Sequence, residues 1–194
     1  MNSIIETILA HRSVRDFEEK KLTEEQIKMI VKCAQAASTS NFMQAYSIIG
    51  VTGQEKKVKL QKIAGNQTYV AKNGHLFVFC ADLYRFEVIG KMENKDVIPS
   101  LESTEKFMVA VIDTALAAQN AALAAESMGL GICFIGGLRN HLEEVCRILE
   151  IPERVIPLFA LVVGYPAKIN AKKPRLPIEH IYHENSYQKD SYEE

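Results

Sequence analysis

The chain has 194 residues, 47% hydrophobic and 24% charged, which is long and apolar enough for a core of its own and rules out a disordered segment. With 23 Lys and Arg against 24 Asp and Glu, the net charge is −1. No global field therefore favours nucleic acid or an anionic membrane, and any anion site has to be a local cluster.

Residues 2–10 put Ile4, Ile5, Ile8 and Leu9 on one face and predict a helix leading into His11. This opening stretch is too short and too soon charged to read as a leader. Thr23 with Gln26 forms a capping box, and the helix it opens carries Ile27, Ile30, Val31, Ala34 and Ala37 before the polar turn Ser38-Thr39-Ser40-Asn41. A strand follows at 46–51, a polar helix at 54–64 ending on Gly65, and an all-apolar strand, LFVFCA, at 76–81. One helix is expected after Asp82 and a longer one over 101–128. From Phe107 to Ala125 the long helix has only Asp113, Thr114, Gln119 and Asn120 as polar residues, so nearly every side of it needs cover. The sheet covers one side, and a second subunit is the natural cover for the other; burial inside a monomer is the alternative. Asp113 and Glu126 read as caps or interface hydrogen-bonders. The longest charge-free run inside this segment, 114–125, falls short of a membrane span. A third strand at 132–135, a short helix at 141–150 and a fourth strand at 158–164 complete the pattern. Without a strict βαβ repeat, this is an α+β fold around a mixed sheet. It forms one domain over 1–194, with 165–194 as an extended tail.

Five clusters carry candidate chemistry. His11-Arg12-Ser13-Val14-Arg15 sets two guanidinium forks three residues apart with a hydroxyl between them, the donor set a phosphate dianion requires. Each charge-assisted bond there is worth about 1.5–3 kcal/mol. A solvated basic turn is the plain alternative. Lys172-Lys173-Pro174-Arg175-Leu176-Pro177 is a second basic cluster, stiffened by its prolines, and an anion site arises if the two meet. Ile135-Gly136-Gly137 follows a strand and lets a flat ligand approach backbone N–H groups. The loops at Thr39–Asn41 and Gln67–Tyr69 offer neutral donors, though taken singly such loops are more often structural turns than binding sites. A Rossmann site is not expected, because Phe134 stands where the third glycine of that fingerprint belongs. His180 and His183 have ligand-like spacing without a third ligand nearby, so no metal is expected. Cys33, Cys80, Cys133 and Cys146 are widely spaced and read as reduced thiols, which makes the cytoplasm the expected compartment.

In order along the chain, HRSVRDF, STSNFMQ, GNQTYVA, AAESMGLGICFIGGLRN and KPRLP followed by HENSY resemble the FMN-dependent nitroreductase superfamily. More narrowly, they resemble its oxygen-insensitive NADPH nitroreductase and flavin reductase branch. The resemblance implies a homodimer with the long helix at its interface and two FMN sites. It implies that His11, Arg12, Ser13, Arg15, Lys173 and Arg175 hold the phosphate, ribityl region or pyrimidine edge, and that Ile135, Gly136 and Gly137 face the isoalloxazine. Thr39, Asn41, Gln67 and Tyr69 would contact the flavin, some of them from the other subunit. The implied activity takes hydride from NADPH or NADH and passes electrons to nitroaromatics, quinones or free flavin by ping-pong turnover, with no catalytic side chain. A flavin store or redox sensor is the alternative. Larger members continue beyond HENSY into a helical extension with basic residues for the 2′-phosphate of NADPH. The choice of nicotinamide is therefore left open here, and a more open flavin face is expected. Thr39 and Asn41 also replace serines that are commoner in that loop.

Overall fold

In the computed structural model, which describes residues 3–189, the apolar runs become four strands: β1 (Tyr46–Val51), β2 (His75–Asp82), β3 (Gly131–Ile135) and β4 (Val155–Gly164). Their order is β1-β2-β4-β3, and every pairing is antiparallel where a mixed sheet was expected. The reason lies in the connections. Val51 at the end of β1 pairs with Leu76 at the start of β2, so the chain leaves and re-enters the sheet at the same end. β4 begins three residues earlier than the sequence suggested, and Pro157 lies inside it. A bulge shifts the register between Phe79 and Cys80 opposite Phe159 and Pro157, which accommodates a residue with no N–H to give.

Helices cover both faces of the sheet. Leu76, Val78, Cys80, Ala160 and Val162 point to one side, where α3 (Gln54–Ile63) and α7 (Leu142–Leu149) pack. Phe77, Phe79, Leu161 and Val163 point to the other, beneath α2 (Glu24–Gln35) and α6 (Thr104–Ser127). The remaining helices are α1 (Ser3–Ala10), α4 (Tyr84–Met92) and the single turn α5 (Ile98–Leu101). The long helix starts at Thr104 rather than Leu101 because the Ser103 hydroxyl accepts from Lys106 N at 3.2 Å and caps a fresh start.

Alanines let α6 lie close on the sheet: Ala110, Ala117, Ala118, Ala121, Ala122 and Ala125 are all buried. Its opposite face is apolar yet open, with Met108 51%, Ile112 51% and Leu116 44% exposed. Taken whole, α6 is long and apolar enough to cross a bilayer by length and composition, although its longest charge-free run is not, and one of its faces is packed against the sheet. The four cysteines are unpaired. Burial pushes the Cys80 thiol up to about 12, and raises those of Cys133 and Cys146 as well.

At the start of β2, His75 is 6% exposed and its Nε2 has no protein partner. Burial, aided by the Lys57 ammonium, lowers its pKa to about 4. The unfolded chain takes up a proton near 6.5 while the folded one resists until about 4, so the folded state loses stability as pH falls through that window. Between pH 7 and pH 5 the loss from this one group is about 2 kcal/mol. His75→Gln is expected to flatten that part of the curve in urea melts at the two pH values; an unchanged slope would exclude His75 as its source.

Candidate functional site

After α1 the chain continues as an extended arm, and this arm builds the site. Val14 N donates to Ile132 O at 2.9 Å, lying so close to β3 that a Cβ on Gly131 would stand 2.7 Å from Val14. Phe17 then bridges Pro166 antiparallel, Glu18 N donates to Tyr165 O at 2.9 Å and Ala167 N to Asp16 O at 3.0 Å. Farther on, Asn170 Nδ2 reaches Ser13 O at 3.4 Å and Lys172 Nζ reaches Leu9 O at 2.8 Å. Chain segments more than 150 residues apart are thereby laid side by side.

The two basic clusters meet as a result. His11, Arg12, Ser13, Arg15, Asn170, Lys173 and Arg175 line one cleft of about 370 Å³, and no Asp or Glu is among its lining residues. Four strong cations converge without a carboxylate in a chain of net charge −1. Arg12 is fixed through Nε, which donates to Ala10 O at 3.1 Å. His11 Nδ1 lies 2.7 Å from Glu126 Oε1 on α6, which ties the head of the arm to that helix. Asn170 was not singled out from the sequence; its position just before the second basic cluster was the available signal.

Arg15 also borders the next wall. There the Tyr69 hydroxyl donates to Gln67 Oε1, while burial and Cys133 raise the tyrosine's pKa against the opposing pull of Arg15. The Ile135–Gly137 turn adjoins the loop that carries Gln67. A Cβ on Gly137 would meet Ala64 Cα at 3.3 Å, and one on Gly136 would meet the Arg139 guanidinium at 3.1 Å. Arg139 Nη1 in turn donates to Leu158 O at 2.6 Å. The absence of side chains at 136 and 137 thus already serves packing within the chain.

Thr39 and Asn41 sit apart from the cleft. Their loop leads into β1, at the opposite sheet edge from β3, three strand spacings or roughly 14 Å away. Asp113, fully buried on α6, clamps it: Oδ1 accepts from Ser40 N at 2.9 Å and Oδ2 from Ala45 N at 3.1 Å. Between those anchors Asn41, Phe42 and Gln44 hold left-handed backbone angles (φ 48°, 57° and 54°). The Thr39 hydroxyl is buried with no protein partner.

Comparison with known proteins gives the family and the fold. The family model described as the nitroreductase family matches residues 8–165. An FMN reductase (NADPH) of Bacillus subtilis (strain 168) is 59% identical over 187 residues, covering 96% of this chain and 75% of that protein. Among solved structures, B. megaterium NfrA1 superposes with a TM-score of 0.97 at 64% identity, over 99% of this chain and 78% of that one. The NADPH:FMN oxidoreductase from Vibrio harveyi complexed with NAD+ matches with a TM-score of 0.91 at 41% identity, over 99% of this chain and 82% of that one.

Arg15→Ala and Arg175→Ala are each expected to weaken binding of a phosphomonoester about tenfold or more, the value of one charge-assisted contact. The melting temperature of the ligand-free protein should stay within about 2 °C. Calorimetric titration alongside thermal melts checks this, and equal loss of folding without ligand would count against an anion role.

Proposed function

The chain belongs to the nitroreductase family, and on that premise we propose how its residues serve an NAD(P)H-dependent FMN oxidoreductase acting on nitroaromatics, quinones or free flavin. The observation that carries the site assignment is the cleft at the arm, where four cations, a hydroxyl and an asparagine face one another with no acid among them. That donor set fits the dianionic phosphate of FMN. Arg12, Arg15, Lys173 and Arg175 would hold the phosphate, with Ser13 and His11 beside it. Gln67 and Tyr69, and the Ile135–Gly137 turn, would border the ring.

When bound, FMN supplies the chemistry by accepting hydride from the nicotinamide and handing two electrons to the acceptor. The protein binds and orients. No carboxylate dyad or catalytic triad is required. The reductase activities named for the relatives favour turnover over a flavin store.

We read the protein as a single domain working as a homodimer. The open apolar face of α6 supports this, together with Ile4, Ile5, Ile8 and Leu9 exposed on α1 beside it. Thr39 and Asn41, remote from the cleft of their own chain, would then serve the partner's cofactor. Four free thiols and a reaction that consumes NAD(P)H support a cytoplasmic setting.

The purified protein is expected to be yellow and to oxidise NADPH or NADH with a nitroaromatic or quinone, giving parallel lines in double-reciprocal plots. A colourless protein that cannot be reconstituted with FMN would overturn the assignment. Light scattering should give a dimer mass for the wild type and a monomer mass for Ile112→Glu, which sets a charge in the middle of the open α6 face; a monomeric wild type would refute the dimer.

A further inference from the structure

Among the described residues Lys57 is the only buried lysine, at 6% exposure. Its neighbours Lys56 and Lys59 turn outward and pair with Glu150 at 2.8 Å and Glu55 at 2.6 Å. Lys57 turns inward, and no carboxylate pairs with it among the described residues. Burial, reinforced by Lys21, draws its pKa below the ordinary lysine value. An apolar side chain would fill the same space without that penalty.

What the ammonium adds is a donor. Lys57 Nζ donates to Asn73 Oδ1 at 2.9 Å. The other end of that amide, Nδ2, donates to Tyr69 O and Val70 O, each at 2.9 Å. These carbonyls close the 3-10 turn Thr68–Val70. An ammonium can only donate, so it fixes which end of the amide faces it and turns the two N–H groups of Asn73 onto the turn. That turn carries Tyr69, whose hydroxyl donates to Gln67 and which neighbours Arg15.

We propose that Lys57 and Asn73 are positioning residues for FMN: the buried ammonium orients the Asn73 amide, and the amide holds the 68–70 turn so that Gln67 and Tyr69 meet the cofactor beside Arg15. Neither residue lines the cleft. The inference rests on the reading of that cleft as the FMN site, and it adds a buried polar support beneath the flavin-side wall.

Asn73→Asp separates this role from plain stabilisation. A carboxylate still accepts from Lys57 and gains an ion pair with it, but has no N–H for the two carbonyls. Lys57→Met removes the donor and frees the amide to turn. The protein is stripped of flavin and titrated with FMN, following the quenching of flavin fluorescence, and the flavin-free melting temperature is measured in parallel. Both variants should bind FMN at least about tenfold more weakly, through loss of the bonds that hold the turn, while melting no more than about 2 °C below the wild type. Binding within about twofold of the wild type overturns the proposal, as does a loss of affinity matched by a comparable loss of stability. Should Asn73→Asp fail to fold, Lys57→Met decides on the same criteria. Wild-type protein that does not take up FMN sinks the cofactor reading itself; wild-type protein that binds it alongside unaffected variants sinks only the positioning role.

Discussion

The antiparallel seam between the arm at residues 16–18 and the segment at 165–167 is the constraint on which the rest of the site depends. It is built from few bonds, with Phe17 against Pro166 and backbone donors from Glu18 and Ala167. Yet it forces together cations that would otherwise move apart. Like charges gathered in one cleft repel, the more strongly the less water lies between them. The ligand-free cleft thus opposes its own assembly, and a bound dianion reverses the sign of that contribution. Ligand and fold are therefore thermodynamically linked.

Much of this was legible in the chain. Strand β1 has the bounds that its β-branched run predicts, the Thr23–Gln26 capping box forms with both of its bonds, and the apolar run of β2 is buried throughout. These features are local, and local chemistry decides them. The two basic clusters could be named, but their meeting depends on bonds between residues more than 150 positions apart. The antiparallel pairing, the bulge that admits Pro157 and the fresh helix start at Ser103 were hidden for related reasons. Each is settled by a neighbour that sequence spacing does not reveal. Asp113 is the clearest instance. Its place on a buried helix suggested a cap or an interface bond, whereas it clamps a loop 68 and 73 residues away.

The helix that carries Asp113 unites the molecule. On its inner face alanines seat it on the sheet, Asp113 holds the loop before β1, and near its end Glu126 meets His11 at the head of the arm. Both regions named as flavin contacts, at opposite sheet edges, are therefore referenced to one rigid rod. In the proposed dimer its outer face would take a second copy, and a shift of that copy would then be felt in both regions at once.

The thiols bear on the quinones proposed above as acceptors. Such molecules are Michael acceptors, and it is the thiolate, not the thiol, that adds to them. Cys80, at about 12, and the raised Cys133 and Cys146 stay protonated at neutral pH. Burial of Cys80 and Cys133 withholds two nucleophiles from such acceptors, so the same packing that builds the core would shield these thiols from electrophilic substrates.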